Sequence, residues 1–137
     1  DLAYVGKAER LGLSTVIYLG DVLDLPLSGI GTSTKKIREN PEQIRRLVRG
    51  TLKAMQYIRD NRADSLRMMV DYLKVPAGDA GKIYDFSIRS LSANGRFLDQ
   101  NLITDINLAR QSLKIDRDVP LSEVVDWGFV EAAKQSR

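Results

Sequence analysis

The sequence predicts a helix-rich α/β domain with one or two short strands and about five helices. One run, Ser-Thr-Val-Ile-Tyr-Leu at residues 14–19, has the β-branched and aromatic composition of a strand. After residue 32, apolar residues recur at helical spacing. The length of 137 residues suits one hydrophobic core. We therefore expect a single domain over residues 1–137, with a strand and crossover region over 1–31 and a helical region over 32–137.

The first region should contain three elements. Residues 3–11 predict a short helix that Gly12 closes. The run at 14–19 is the best strand candidate in the sequence and ends at Gly20-Asp21. Residues 25–31 alternate apolar with small residues, but their Pro and two Gly favour an edge or crossover segment over a central strand. We interpret that segment as a connection, which leads into a Thr-capped helical turn.

The long helix has the clearest start. Asn40 can cap it, Pro41 suits its first position, and Glu42 and Gln43 complete a variant of the capping box. The apolar spacing predicts a helix from about residue 41 to about residue 60. Asn61 begins a second helix that stops before Pro76, because the residue preceding a proline disfavours helical backbone.

The remaining chain predicts two more helices and a closing segment. A helix over residues 80–91 should end at a left-handed stop provided by Gly95. Asp99 can cap the next helix, and Pro120 begins a short helical turn. The last large apolar side chains are Trp127, Phe129 and Val130. We interpret the two aromatic ones as core packing, with a ligand platform as the alternative.

The amino-acid composition excludes several kinds of catalytic and metal-binding site. The chain has no Cys, which excludes a disulfide scaffold, a thiolate zinc site and a cysteine nucleophile. It has no His, which removes the usual general base and the usual ligand for transition metals. We therefore expect a protein that is not an enzyme, with no catalytic residue, no metal site and no cofactor.

Basic residues are concentrated in one part of the chain. Residues 35–62 hold nine bases and three acids, a local net charge of +6 in a chain whose net charge is +3. Arg45, Arg49 and Lys53 recur every four residues, and Lys35, Lys36 and Arg38 precede them. A solvated helix face is the default interpretation. The alternative is a helical interaction or nucleic-acid-binding module that uses this face, although no aromatic stacking partners or DNA-binding motif accompany the charges.

Two weaker patterns have structural explanations that we prefer. The glycines and lysines at 29–36 suggest a phosphate loop, but neither a Walker A motif nor a dinucleotide fingerprint has this spacing. Weak anion contact by the amides of residues 32–34 is an intermediate possibility. Asp21 and Asp24, like Asp116 and Asp118, could ligate a hard cation, but two carboxylates alone are more typical of solvated turns.

Several motifs together resemble the C-terminal half of a periplasmic substrate-binding protein of an ABC importer, of the nitrate, sulfonate, taurine and thiamine-precursor type. The resemblance extends from about residue 13 onward, whereas residues 3–11 do not match clearly. The motifs are Pro26-Leu27-Ser28-Gly29-Ile30-Gly31-Thr32-Ser33, Ile37-Arg38-Glu39-Asn40-Pro41-Glu42, Asn61-Arg62-Ala63-Asp64-Ser65, Leu91-Ser92-Ala93-Asn94-Gly95-Arg96-Phe97 and Val119-Pro120-Leu121-Ser122-Glu123-Val124-Val125-Asp126-Trp127.

The resemblance implies part of a two-lobed, type II periplasmic-binding-protein fold, with the ligand between the lobes. It implies a non-catalytic solute-binding component for a small organic or anionic solute, with an ABC permease as partner. Ser28 and Thr32 at the crossover are the ligand-binding candidates it offers. The expected location of the full-length parent is periplasmic or extracellular and lipid- or membrane-associated. We expect no membrane insertion, and this chain shows no signal sequence.

The resemblance further implies that the chain is a fragment of a longer protein. A strand without its sheet partners exposes unpaired backbone groups, and helices without their sheet expose apolar stripes. We therefore expect the fragment to form a homodimer or a higher oligomer.

Overall fold

The computed structural model describes residues 4–26 and 28–135. Over these ranges the chain forms eight α-helices, a 3₁₀ turn at Leu19–Asp21 and no strand. The helices are α1 (Val5–Arg10), α2 (Thr34–Glu39), α3 (Pro41–Asp60), α4 (Arg62–Leu73), α5 (Ala77–Ser90), α6 (Asp99–Leu113), α7 (Leu121–Val124) and α8 (Gly128–Gln135). None of the helices described is both long and apolar enough to cross a membrane.

The α/β prediction is wrong, and so is the partial periplasmic-binding-protein fold: the described residues are all-α. The predicted strand at 14–19 is irregular until the 3₁₀ turn begins at Leu19. Its backbone finds no second strand among the described residues, and Val16 is 94% exposed. A strand exists only when a neighbour supplies the other half of the hydrogen-bond ladder, and strand propensity alone cannot provide that neighbour.

The structure agrees with the other predictions for the described part of the first 33 residues. Helix α1 lies within the predicted range, and Gly12 follows it with a φ of +78°, as expected of a left-handed stop. Part of the predicted helix, at residue 3, lies outside the described residues. Residues 23–26 and 28–33 have no regular secondary structure, as a connection requires, and Leu27 lies outside the described residues.

The helices predicted for the rest of the chain are present, but some boundaries differ. Helix α5 begins at Ala77 rather than at residue 80, and the predicted Asp99 cap is wrong, because Asp99 is the first helical residue of α6 and Leu98 is its N-cap. Helix α3 spans Pro41–Asp60, as the capping signal and the apolar spacing predict. Helix α5 already ends at Ser90, because Leu91 is extended, and Gly95 (φ +79°) lies in the loop beyond. Lys74 and Lys114 are the left-handed residues that end α4 and α6.

The chain divides into two compact units, each with its own small core. Unit 1 contains the described residues up to Val22 and Lys53–Leu91. Its buried cluster is formed by Val75, Ala80 and Ile83, and partly buried Leu66, Met69 and Val70 of α4 pack against it. The apolar positions of α4 and α5 therefore face one another, as the helical spacing predicts.

Unit 2 contains Leu23–Leu52 and the described residues from Ser92 onward. Its buried cluster is Ile44, Val48 and Val130, and the partly buried residues against it are Leu52, Trp127, Phe129 and Ala133. The first half of α3 and the start of α8 thus share one core. Burial of Ile44 and Val48 fixes which face of α3 is turned to solvent, and the basic residues lie on the rest of the helix.

Candidate functional site

Helix α2 begins at a serine cap and carries three bases. The Ser33 hydroxyl accepts a hydrogen bond of 3.1 Å from the backbone N–H of Lys36. The cap is therefore Ser33, and the predicted threonine cap is wrong, because Thr34 is already the first helical residue. Lys35 and Arg38 are exposed on this helix and Lys36 is half-buried.

Helix α3 continues the basic sequence after a single intervening residue. The Asn40 carbonyl accepts from the backbone N–H groups of Gln43 and Ile44, at 3.1 and 3.4 Å. With Ile44 buried, Arg46 is exposed and Arg49 is half-buried.

We call Lys35, Lys36, Arg38, Arg46 and Arg49 the basic surface. None of these side chains makes an ion pair or a hydrogen bond within the described residues. Most other described bases have an acidic partner, for example Arg10 with Asp79 at 3.0 Å and Arg117 with Glu123 at 2.8 Å. The remaining described bases without such a partner are Lys7, Lys53, Arg59, Lys74 and Lys114, and of these Arg59 donates to the Leu91 carbonyl.

The charge of the basic surface is thus available to a partner. Glu39 is the one acid between Lys35 and Asn40, and it has no ion pair among the described residues. Unpaired exposed cations attract an anionic partner over roughly a Debye length, about 8 Å at physiological salt. The surface is chemically suited to a polyanion.

Of the predicted stripe of Arg45, Arg49 and Lys53, only Arg49 belongs to the basic surface. Arg45 is paired with Glu42 at 3.3 Å. Lys53 is exposed but belongs to unit 1, so it is not part of the basic surface, which lies in unit 2. Arg46 is the residue that sequence reasoning missed. Spacing alone could not choose between the two arginines, because Glu42 lies three residues before Arg45 and four before Arg46.

Ser28 and Thr32, the ligand-binding candidates, lie in the irregular segment of unit 2. Both are exposed, and neither makes a hydrogen bond within the described residues. Near them in sequence, Asp24 is held by Asn101, whose side-chain amide donates at 2.6 Å. The two hydroxyls are therefore free to bind a ligand.

Three of the four carboxylates considered for a cation have partners in the protein, and Asp116 makes no hydrogen bond or ion pair within the described residues. Asp21 pairs with Arg89, Asp24 accepts from Asn101, and Asp118 pairs with Arg110 at 2.7 Å. Across the described ranges, no group of three or more acidic side chains could hold a metal ion.

Unit 1 has a shallow groove on its surface. It has a volume of about 180 Å³ and lies between α1 and residues 13–15. Its charged member, Glu9, is paired with Lys82 at 2.6 Å. The groove therefore offers a ligand no unpaired charge among its lining residues.

Trp127 and Phe129 pack against the core of unit 2, which supports the packing interpretation over a ligand platform. The Trp127 indole N–H donates to Asp99 at 3.2 Å, and the Arg96 guanidinium lies 4.8 Å from the indole centre. Arg96 also bonds Glu131 at 3.4 Å. The pKa of Glu131 is lowered, chiefly by its hydrogen bond with Lys134 and less by Arg96.

Comparisons with protein-family models, with curated proteins and with solved structures find no significant match to this chain.

Proposed function

We propose that this chain is part of the solute-binding component of an ABC importer and has no catalytic role. The observation that carries the proposal is the order of the five sequence motifs given above. Helices α3, α4 and α7 begin at three of these motifs, after Asn40, Asn61 and Pro120. The helical arrangement thus supports the proposal at the places where the motifs predict helix starts. The two-lobed α/β fold is not part of it.

The solute in this proposal is a small organic molecule or anion, and the further partner is the membrane permease of the same importer. Ser28 and Thr32 would contact the solute through their hydroxyls, which are exposed and unbonded. A solute receptor needs hydrogen bonds and shape complementarity rather than an acid or a nucleophile. That requirement agrees with a chain that contains no His and no Cys.

Binding by the longer protein tests the two hydroxyls. Ser28→Ala combined with Thr32→Ala should weaken solute binding about tenfold, the usual loss for one or two neutral hydrogen bonds. The control is Ser122→Ala, an exposed serine at the start of α7, which should bind as the wild type does. Equal affinity in both variants would exclude Ser28 and Thr32 from the site. This chain by itself should show little or no affinity.

The basic surface favours a second candidate function, the binding of a nucleic acid or another polyanion. The specific observation is that five bases on the consecutive helices α2 and α3 lack acidic partners, while most bases elsewhere in the described residues have one. Binding would depend on charge and not on sequence, because no motif that reads base edges accompanies the charges.

A pair of charge-matched variants tests this second function. Lys35→Glu, Arg38→Glu and Arg46→Glu together reverse three exposed members of the basic surface. The control reverses Lys7, Lys74 and Lys114, which also lack ion pairs within the described residues but lie elsewhere in the sequence.

We expect the first variant to lose binding to a short DNA duplex and to heparin, and the control to keep most of it. For the duplex, the slope of log affinity against log salt should fall by about 0.9 for each lost phosphate contact. An equal loss in both variants would mean that net charge alone drives retention.

A further inference from the structure

Residues 14–17 of unit 1 have a backbone without hydrogen bonds to other described residues. All four residues are exposed: Val16 by 94% and Ile17 by 59%, with Ser14 and Thr15 in the same class. Four consecutive peptide units therefore present their N–H and C=O groups to solvent, along with two β-branched apolar side chains.

The fold holds this stretch at both ends. At one end, the Leu13 N–H donates to the Ala8 carbonyl of α1 at 3.0 Å. At the other, the Tyr18 ring lies 5.2 Å from the Phe86 ring of α5, centre to centre, and Arg89 lies 5.4 Å from the Tyr18 ring. Tyr18 itself is extended, with φ −102° and ψ 114°. The stretch is attached to α1 and α5 while its middle stays open.

These properties are those of an unpaired strand edge. Serine, threonine, valine, isoleucine and tyrosine in succession favour extended backbone. An exposed extended segment with free N–H and C=O groups is a template for another strand. The segment finds no second strand among the described residues, which is why the α/β prediction is wrong. The same lack of a partner leaves residues 14–18 able to pair with a strand of another molecule.

We propose that residues 14–18 pair as an antiparallel strand with the same residues of a second copy of this chain. Charge supports this occupant and this orientation. Residues 11–20 carry no charged side chain, with Arg10 before them and Asp21 after them. Antiparallel pairing places the Arg10 end of one copy beside the Asp21 end of the other, whereas parallel pairing would place like charges together.

The two flanking charges remain available for this contact. Arg10 pairs with Asp79 and Asp21 pairs with Arg89, yet the side chains of Arg10 and Asp21 are 59% and 52% exposed. A two-fold arrangement uses the same surface on both copies, so one short uncharged strand suffices for both sides of the interface.

Proline substitution tests the pairing without removing a backbone hydrogen bond of the monomer. Val16→Pro together with Ile17→Pro deletes two successive N–H donors, which point to opposite edges of a strand. Neither donor is used within the described residues, so helix content by circular dichroism should stay that of the wild type. We expect the wild type to dimerise reversibly at tens of micromolar in sedimentation equilibrium. The double variant should dimerise roughly a hundredfold more weakly, since a symmetric dimer loses each bond twice.

The matched control is Ile30→Pro with Gly31→Pro, in another exposed irregular segment whose backbone is also unbonded. It should dimerise as the wild type does. Amide hydrogen exchange gives an independent readout: the amides of residues 14–18 should exchange more slowly as protein concentration rises. The proposal is overturned by a wild type that stays monomeric, by dimerisation that survives in the Val16 and Ile17 double variant, by unprotected amides in the dimer, or by assemblies larger than a dimer.

Discussion

Gly95 combines a left-handed backbone with a close neighbour. Its φ is +79°, and a Cβ at this position would overlap Leu52 Cδ2 of the unit 2 core. Left-handed backbone costs a non-glycine residue about 1–2 kcal/mol, and the overlap adds to that cost. We predict that Gly95→Ala lowers the free energy of unfolding by roughly 2 kcal/mol or more, measured by denaturant titration.

Gly50→Ala is the control for that substitution. Gly50 lies inside α3 and is exposed, and a methyl group on its Cα would meet nothing within 4 Å. Alanine in a helix interior is favoured over glycine by about 0.5–1 kcal/mol, so this variant should be more stable than the wild type. Equal destabilisation by both variants would contradict the account of Gly95.

At the scale of elements, a glycine and an ion pair hold α1 against α5. A Cβ at Gly6 would overlap the carboxylate of Asp79, which is 8% exposed and accepts from Arg10 at 3.0 Å. We predict that Gly6→Ala displaces Asp79, breaks its bond with Arg10 and lowers the free energy of unfolding by about 1–3 kcal/mol. Amide exchange should report faster opening of α1.

Gly78→Ala is the matched control, one residue before Asp79. Gly78 is exposed, and a methyl group there would meet nothing within 4 Å. Its stability should equal or slightly exceed that of the wild type. If α1 opens equally often in the Gly6 and Gly78 variants, the close approach of Gly6 to Asp79 does not hold α1.

The segment from α6 to α7 carries a pH-sensitive pair. The hydrogen bond from Arg117 lowers the pKa of Glu123, with a smaller contribution from the charge of Arg117. A lowered folded-state pKa stabilises the fold above the unfolded value, about 4.3 for Glu. This stabilisation is lost as the pH falls from there through the folded-state pKa. We predict that NMR titration finds a lower midpoint for Glu123 in the wild type than in Arg117→Gln. Equal midpoints would contradict the pairing.

The helices could be predicted from the sequence and the strand could not, because helix signals act between residues close in the sequence, whereas a strand depends on a partner far away in it. The start of α3 follows from Asn40, Pro41 and Glu42, which act within one turn. A strand needs a distant partner, and residues 14–19 have none among the described residues. The end of α4 before Pro76 was predicted, but the left-handed backbone of Lys74 and Lys114 was not, because lysine does not signal that conformation.

At the scale of the molecule, burial is modest in both units. Among the described residues, every large hydrophobic side chain is at least 2% exposed. Ile83, in the core of unit 1, is 7% exposed. Because stability rests on few buried side chains, Ile83→Ala should lower the free energy of unfolding by about 2–3 kcal/mol. Ile103→Ala, at a position 39% exposed, should cost less than about 1 kcal/mol in the same denaturant titration. Similar losses in the two variants would contradict this account of the core.

The sequence shows that the candidate site is rich in bases, but it does not show which of these bases lack an acidic partner. The excess of bases over residues 35–62 is visible in the sequence, but which of them lack a partner depends on rotamers and distances. Glu42 pairs with Arg45 and leaves Arg46 free. Ser28 and Thr32 rest on the family resemblance alone, and they stay predictions, as does the interpretation of the chain as one domain of a longer protein.

Thermal unfolding of the longer protein tests most directly the proposal that these residues serve a solute-binding component. The panel should contain nitrate, taurine, other sulfonates and pyrimidines. A bound solute at about a hundred times its dissociation constant stabilises the folded state by about 2.7 kcal/mol, so one class should raise the melting temperature by several degrees. An unchanged melting temperature across the whole panel would contradict the proposal.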